Sequence, residues 1–319
     1  MDLRIRQRLF DSPPCDEVAL SSLARAQLVE LSSPPTPSEI QQFSQRVSSD
    51  LAARVFYEGL LASDHGEFVR YIDELSGDTV VAKVEGVKLL VVPGMFYREH
   101  PEVGADGGLA LEIAQRFGFN TKTIGLKSTG SVTENSKILA HYLERECDEP
   151  VWLLSLSKGT SEVRHYLQQN PLNKNVVGWI SVAGTPKGSP LVEGKLGSKT
   201  SRLFYRALCK VMGIDFNVLK EMSPRHPFWN EKAWPSSTLD IVHIVPIPLT
   251  CHIQGMLRSR HQRLLPYGPN DGFVPVTDVM ELPGRIYPVW GCDHFMRIPH
   301  LSQLLYRLYN YIALKTKKA

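Results

Sequence analysis

The feature that most constrains the fold of this chain is a short stretch, residues 151–160, with the sequence Val-Trp-Leu-Leu-Ser-Leu-Ser-Lys-Gly-Thr. Its first four residues predict a buried strand. Ser155, Ser157 and Gly159 then form a small-x-Ser-x-small pattern in front of a helical segment. A serine on a sharp strand-to-helix turn needs small neighbours, because the backbone is strained there and the flanking elements pass close together. The stretch fits such a nucleophile elbow, and it also fits an ordinary strand followed by a Ser-capped helix, since Ser155 stands where glycine is usual.

Strand and helix signals alternate from residue 78 onwards, which predicts an α/β fold with a mainly parallel sheet covered by helices on both faces. The predicted strands are residues 79–84 and 87–92, joined as a hairpin, followed by 122–126, 151–154, 176–182, 241–247 and 286–289. Helices are expected at residues 109–117, from the capping box at 131–134 to 143, at 161–169 and at 298–314.

Residues 1–76 look helical and contain no chemistry that we recognise. A capping box at residues 36–39 opens an amphipathic helix, because apolar residues then recur at helical spacing at positions 40, 43, 47, 51 and 55. A further short helix is expected around residues 68–75. We divide the chain into an N-terminal helical extension, residues 1–76, and an α/β domain, residues 77–319. The extension either packs on that domain or serves as a partner-binding or dimerising arm.

The alternation breaks down between about residues 190 and 235, where the sequence predicts an inserted amphipathic helix. Its apolar side carries Leu203, Phe204, Leu208, Val211 and Met212, and Lys199, Arg202, Arg206 and Lys210 lie largely on the other side. The insertion is either a lid over an apolar pocket or a helical segment that stays packed on the domain with its charged face in solvent.

Composition and charge exclude several classes of function. The 319 residues carry a net charge of +3 with scattered Lys and Arg, so no nucleic-acid interface is indicated. The longest apolar run, residues 239–249, is interrupted by polar residues and prolines and is far too short for a membrane span. No apolar segment of a secretory signal follows the polar N-terminus. Five widely spaced cysteines without a CxxC pair are expected to be reduced thiols in a cytoplasmic protein.

An activated serine would require a histidine base and an acid that orients it. His294, in the loop after the last predicted strand, is the best-placed base, because that loop can reach the carboxyl edge of the sheet. His300 falls in the closing helix pattern, and His243 lies in an apolar strand. Asp271, in an Asn-Asp-Gly turn, is the best candidate acid, although such a turn can be purely structural. The competing acids are Asp240, Asp278 and Asp293.

Backbone N–H groups that could bind a developing oxyanion have two candidate sources. Lys158 follows Ser157 directly. Gly94, in the loop after residues 87–92, would let the Met95 N–H face the same point, although a plain Pro-Gly turn also explains it. The candidate triad residues occur in the order Ser…Asp…His, each after a predicted strand. This joint order favours the nucleophile elbow over the capped helix.

On these motifs the sequence resembles the α/β-hydrolase superfamily, and within it the bacterial lipases and esterases. Residues 184–190 (Gly-Thr-Pro-Lys-Gly-Ser-Pro) are similar to a loop of those lipases, residues 270–275 to their acid loop and residues 293–295 to their histidine loop. The resemblance covers roughly residues 78–315. It implies Ser157 as nucleophile, Asp271 as acid and His294 as base, with Met95 and Lys158 as backbone oxyanion donors.

The chain departs from the family pattern at two positions. Pro93-Gly94 replaces the usual His-Gly of the oxyanion loop, and Ser155 replaces glycine. Nothing matches the calcium-binding aspartates of some lipases, so neither a metal nor a cofactor is expected.

The resemblance implies a serine hydrolase that cleaves a carboxylic ester with an apolar acyl portion through an acyl-enzyme intermediate. A thioesterase or an acyltransferase would use the same residues. An inactive hydrolase fold that serves as a binding or scaffold module is the alternative from another class. The expected partner is a small-molecule ester or lipid, and transient contact with lipid surfaces is compatible with it.

Overall fold

The computed structural model describes residues 17–170, 175–230, 234 and 239–316. Its centre is a sheet of six described strands in the order β2-β1-β3-β4-β5-β6. They are β1 (Lys88–Val92), β2 (Asn120–Thr123), β3 (Val151–Leu156), β4 (Val176–Val182), β5 (Asp240–Ile247) and β6 (Arg285–Trp290). Neighbouring strands all pair in parallel, so their carboxyl ends meet at one edge. The predicted α/β fold with a parallel sheet is confirmed.

Helices cover both faces of this sheet. The helices of the described residues are α1 (Glu17–Gln27), α2 (Pro37–Arg46), α3 (Ser49–Leu61), α4 (Asp64–Glu74), α5 (Gly108–Arg116), α6 (Val132–Glu146), α7 (Gly159–Gln169), α8 (Glu193–Leu196), α9 (Lys199–Val211), α10 (Phe216–Glu221), α11 (Leu257–Leu264) and α12 (Leu301–Thr316). Leu89 and Val91 of β1 belong to the cluster formed with α5 and α12. Leu90 and Val92 belong to the cluster formed with α6 and α7. Successive strand residues point to opposite faces, so both faces of β1 are buried.

Helices α1 to α4 pack at the β5–β6 end of the sheet. Ile40 of α2 and Phe56 of α3 are fully buried in one cluster with Ile247 of β5 and Ile286 of β6. The predicted capping box opens α2, where the Thr36 N–H donates to Glu39 Oε2 at 2.8 Å. The division of the chain at residues 76 and 77 stays a prediction.

The expectation of one continuous helix over positions 40–55 is wrong. Helix α2 ends at Arg46, and α3 begins after Ser48. The Ser48 hydroxyl accepts a hydrogen bond from the Leu51 N–H at 3.1 Å, which satisfies a free donor of a new helix start. Val47, at the break, is exposed instead of lying on the buried face.

The predicted hairpin before β1 is also wrong, because residues 79–84 do not form a strand. The Val81 N–H donates to the Asn310 side chain at 2.8 Å, and the Val84 N–H donates to the Phe117 carbonyl at 2.8 Å. The β-branched run is therefore held by α12 and by the end of α5, and its backbone donors are used there instead of in a ladder.

The inserted helix α9 does not bury its large apolar side chains against the rest of the protein. Cys209 is its one buried residue, and Ser201 and Tyr205 on the same stripe are half-buried. The large apolar side chains, which the packed alternative places inward, are exposed: Leu203, Phe204, Leu208, Val211 and Met212. The interpretation of a packed helix with only its charged face in solvent is therefore wrong.

The cysteines differ in state. Cys251 is disulfide-bonded, so the expectation that all five are reduced thiols is wrong at that position. Cys147, Cys209 and Cys292 are free and buried, and Cys15 lies outside the described residues.

None of the helices in the described part of the chain is both long enough and apolar enough to cross a bilayer.

Candidate active site

Ser157 occupies a strained turn between β3 and α7. Its φ angle is +50°, in the left-handed region that non-glycine residues rarely adopt. The Ser157 N–H donates to the Val182 carbonyl at 3.0 Å, which ties the turn to the end of β4. A Cβ atom on Gly159 would lie 2.3 Å from the Val92 carbonyl oxygen, so only glycine fits where α7 starts against β1. The small residue of the sequence pattern is therefore explained by close packing.

Ser157, His294 and Asp271 form one chain of hydrogen bonds. Ser157 Oγ lies 2.8 Å from His294 Nε2, and His294 Nδ1 lies 2.7 Å from Asp271 Oδ2. Asp271 and His294 are both buried. The two imidazole nitrogens thus lie within hydrogen-bond distance of a hydroxyl on one side and of a carboxylate on the other.

The Asp271 carboxylate is held rigidly by its own loop. Its Oδ1 atom accepts hydrogen bonds from the Phe273 and Val274 N–H groups at 2.8 and 2.9 Å. The His294 N–H donates to the Asp271 carbonyl at 3.0 Å, which joins the acid loop to the histidine loop. The Asn-Asp-Gly turn is thus structural, and its Asp271 carboxylate also contacts the imidazole of His294.

The loop after β1 reaches the same point. A Cβ atom on Gly94 would lie 3.5 Å from Ser157 Cβ, so the chain passes next to the serine. In the described part of the chain, neither the Met95 N–H nor the Lys158 N–H has an acceptor. The Lys158 N–H also lies at the N-terminus of α7, where the helix dipole favours negative charge. Both donors that the sequence predicts are thus free to bind an anion.

The Lys158 side chain turns away from this anion position. Its ammonium pairs with Glu162 one turn along, and Asn135 Nδ2 donates to the same carboxylate at 2.7 Å. Lys158 and Glu162 are both buried, and burial raises the pKa of Glu162. Glu162 and Asn135 are not among the residues predicted for the site, although the spacing of four residues between Lys158 and Glu162 is typical of an ion pair on one helix face.

Ser155 shows why this chain departs from the usual glycine. Its side chain is fully buried, and its Oγ accepts a hydrogen bond from the Trp179 indole N–H at 2.8 Å. The same Oγ lies 3.0 Å from Thr160 Oγ1, which lies 2.8 Å from Ser181 Oγ. The hydroxyl therefore joins a buried polar network behind the turn.

The other histidine candidates lie away from Ser157. His243 is buried in β5, where Nε2 lies 3.0 Å from the Pro283 carbonyl and burial lowers the pKa of the imidazole to about 4. The histidine lies in the core, as its apolar strand predicts, but only its Nε2 is bonded; its Nδ1 has no hydrogen-bond partner among the described residues. His300 is exposed and precedes α12, which begins at Leu301, so its expected place within that helix is wrong.

The competing acids are used elsewhere. Asp240 accepts hydrogen bonds from Arg285 and Tyr311. Asp293 accepts the Phe295 and Gln254 N–H groups at 3.1 and 3.3 Å, so it shapes the histidine loop. Asp278 lies in a short 3₁₀ helix, and burial raises its pKa to about 7.

An apolar cavity of about 200 Å³ opens beside Ser157 and His294. All its other lining residues are apolar or glycine, and they come from the loop before α5, from α5, from the strand ends, from the histidine loop and from α12: Gly104, Ala105, Gly107, Leu109, Ala110, Leu154, Leu156, Val182, Ala183, Ile244, Phe295, Met296, Leu301, Leu304, Leu305 and Leu308. The lining includes no residue of α9. Ser157 and His294 are therefore the polar residues of an otherwise apolar lining in the described part of the chain.

No protein-family model matches the sequence, and no curated protein matches it either. Among solved structures, the chain is similar to a metagenomic carboxyl esterase, with 17% identity and a TM-score of 0.59 over 80% of this chain and 89% of that chain. A mature lipase from Bacillus licheniformis matches with 18% identity and a TM-score of 0.49 over 76% and 96% of the two chains. Mouse alpha/beta hydrolase domain-containing protein 10 matches with 13% identity and a TM-score of 0.45 over 75% and 92%.

At these identities the likeness to the esterase shows the fold alone. The chain has the α/β-hydrolase fold, and the resemblance read from its sequence motifs is confirmed at that level.

Ser155→Ala is expected to lower the free energy of unfolding by about 1–3 kcal/mol, because it leaves the buried Trp179 indole N–H without its acceptor. Urea denaturation measures the change. Trp179→Phe removes the orphaned donor, so the same serine substitution in that background should be less destabilising. Equal losses in both backgrounds would contradict the account of this network.

The stability of the protein is expected to fall as pH is lowered from about 6.5 to about 4, in part through His243. Its pKa is about 4 in the folded protein against an ordinary value of 6.5, so the unfolded chain binds more protons in this window. The difference corresponds to about 3 kcal/mol. Unfolding free energies at pH 7 and pH 4.5 should differ less in His243→Gln than in the wild type. His300→Gln, at an exposed position, is the control, and an undiminished pH slope in His243→Gln would refute the assignment.

Proposed function

We propose that this chain is a serine hydrolase that cleaves a carboxylic ester, with Ser157 as nucleophile, His294 as general base and Asp271 as the acid that orients it. The hydrogen-bonded chain from Ser157 Oγ through the imidazole to Asp271, at 2.8 and 2.7 Å, carries this proposal. A carboxyl esterase with the same fold supports it. A non-catalytic binding module would have no need for this geometry.

The proposed reaction begins with attack of Ser157 Oγ on the ester carbonyl carbon while His294 Nε2 takes the hydroxyl proton. The carbonyl π electrons move to the oxygen, and the resulting oxyanion accepts hydrogen bonds from the Met95 and Lys158 N–H groups. Asp271 stays ionised and stabilises the imidazolium.

Collapse of the tetrahedral intermediate breaks the bond to the leaving alcohol, which takes the proton from His294. The acyl group is then bound to Ser157 as an ester. A water molecule repeats the sequence: His294 removes its proton, the hydroxide attacks the acyl carbonyl, and Ser157 leaves as the protonated hydroxyl. The products are a carboxylic acid and an alcohol.

The cavity supports an aliphatic acyl portion. Its walls are leucines of α5 and α12 together with the ends of β3, β4 and β5, and no charged side chain faces it. Burial of each methylene group of an acyl chain in such a site is favourable by about 0.8 kcal/mol. We therefore assign the acyl group to this cavity and the carbonyl carbon to the point between Ser157 Oγ and the two N–H donors.

A fluorophosphonate probe is expected to label the wild-type protein at Ser157 and to leave Ser157→Ala unlabelled. The same substitution should lower the turnover of p-nitrophenyl esters by a factor on the order of 10⁴ or more, because the nucleophile is lost. Ser38→Ala, at an exposed serine of α2, is the control for labelling and activity. A wild-type protein that folds and yet stays unlabelled would refute the proposal.

Ala110→Leu is expected to shorten the range of acyl chains that the enzyme accepts, since Ala110 lines the cavity and a larger side chain would fill part of its volume. Activity towards acetate esters should remain while activity towards longer esters falls at least several-fold. A panel of p-nitrophenyl esters of increasing acyl length measures the shift. Glu112→Leu, on the exposed side of the same helix, should leave the length profile unchanged. An unaltered length profile in Ala110→Leu would show that the acyl chain does not bind in this cavity.

A further inference from the structure

Helix α9 presents a broad apolar surface to solvent. The exposed fractions of Leu203, Phe204 and Val211 are 71%, 62% and 86%, and Met212 directly after the helix is 58% exposed. At about 100° per residue, Leu203, Phe204 and Val211 share one face with Leu208. Soluble monomers rarely leave such side chains exposed side by side, so this face points to a binding surface.

The charge of α9 has a single sign. Its four charged residues are all cations and all exposed: Lys199, Arg202, Arg206 and Lys210. They lie along one side of the helix, next to Leu203. Among the described residues, none of them forms an ion pair. A helix with an apolar face, a flanking row of cations and no acid is typical of segments that lie in the interface of an anionic membrane.

More unpaired cations lie beside the first half of this helix. The Lys195 ammonium is 5.6 Å from the ring centroid of Tyr205, on the inward stripe of α9. Burial lowers the pKa of Lys195, and the nearby charges of Arg260 and Arg263 lower it further. None of these three cations has a carboxylate partner among the described residues. The positive surface of α9 therefore continues onto the body of the protein.

This positive surface leads to the candidate active site. Arg260 Cζ lies 4.5 Å from the Phe273 ring centroid, and the Phe273 ring lies 4.5 Å from the His294 ring. The guanidinium is thus within about 9 Å of the imidazole, because each lies 4.5 Å from the same ring.

The far end of α9 reaches the opposite side of the site. Thr129 Oγ1 donates to the Gly213 carbonyl at 3.1 Å, directly after the helix. Ile214 then packs in the same cluster as Met95, one of the two proposed oxyanion donors. One end of α9 therefore lies near the Arg260–Phe273–His294 stack, and the other end leads into the cluster that includes Met95.

We propose that α9 docks on the surface of an anionic lipid bilayer, with Leu203, Phe204 and Val211 inserted between the head groups and the cations of α9 bound to lipid phosphates and carboxylates. A second copy of the chain is a poor occupant of this face, because its α9 carries the same cations and no acidic residue that could pair with them. The docking itself does not depend on the proposed hydrolysis. Its consequence rests on the proposed function: a docked enzyme is held close to lipids that can serve as its substrate.

Sedimentation with lipid vesicles tests the docking. The full-length wild type is expected to bind vesicles of phosphatidylcholine mixed with phosphatidylserine, and to bind vesicles of phosphatidylcholine alone at least tenfold more weakly. High salt should weaken binding to the anionic vesicles, since exposed charges are screened. Equal binding to both vesicle types, or no binding to the anionic ones, would overturn the proposal.

Two double variants separate the apolar and charged contributions. Phe204→Ser with Val211→Ser should reduce binding to anionic vesicles at least tenfold, since both side chains leave the acyl region. Lys199→Gln with Arg206→Gln should reduce it by more than tenfold, because each cation near such a surface contributes about a fivefold change. Val18→Ser with Val29→Ser, at exposed positions far from α9 in sequence, is the matched control and should bind as the wild type does.

The docking and the proposed hydrolysis fail separately in this design. Ser157→Ala should bind anionic vesicles as tightly as the wild type, and the α9 variants should hydrolyse a water-soluble p-nitrophenyl ester at the wild-type rate. Size-exclusion chromatography tests the remaining outcome. If the wild type is a dimer and Phe204→Ser with Val211→Ser converts it to a monomer, the face of α9 binds a second copy of the chain instead of a membrane, and the proposal is overturned. Unchanged vesicle binding in both α9 variants would also overturn the proposal.

Discussion

The backbone turn at Ser157 is the constraint on which the rest of the site depends. A positive φ at a residue with a side chain is unfavourable by about 1–3 kcal/mol and persists only when its surroundings hold it. Here β3 and α7 meet so close to β1 that a glycine is required at position 159. Hydrogen bonds also join the N–H and the carbonyl group of Ser157 to the end of β4 and to the segment that follows this strand. The parallel sheet supplies these contacts, because the carboxyl ends of β1, β3 and β4 lie side by side.

Polar and apolar surroundings are divided around this turn. Behind it, the side chains of Ser155, Thr160 and Trp179 form hydrogen bonds within one buried network. The buried Lys158 and Glu162 form an ion pair, because either charge alone would be costly to bury in the interior. In front of it lies a cavity in which Ser157 and His294 are the only lining residues with polar side chains among the residues that the structure describes. The strained turn is thus anchored by hydrogen bonds on one side and meets an apolar pocket on the other, where electrostatic interactions are stronger than in water.

Two segments outside the sheet use their apolar residues in opposite ways. Helices α2 and α3 bury Ile40 and Phe56 against β5 and β6, so they belong to the same packed body as the strands that carry the site. Helix α9 holds to the protein through a narrow stripe and leaves its widest apolar face outside. The difference decides what each can do: the first pair stabilises the end of the sheet, and the second is free to meet another surface.

The amino-acid sequence alone predicts most of the alternating strands and helices from β1 onwards, the turn at Ser157 and the candidate roles of Asp271, His294, Met95 and Lys158. These depend on local periodicity and on turn chemistry, which neighbouring residues encode. Three other features follow from the tertiary structure. Asp271 contacts the imidazole, whereas Asp240, Asp278 and Asp293 do not. Residues 79–84 bond to Asn310 and Phe117 instead of forming a hairpin, and the Lys158 side chain pairs with the buried Glu162. Each of these depends on partners distant in the chain or on which side of a helix is covered. The same holds for α9. Its amphipathic pattern can be recognised in the sequence, but the direction of its apolar face depends on the surfaces that the rest of the fold leaves for the helix.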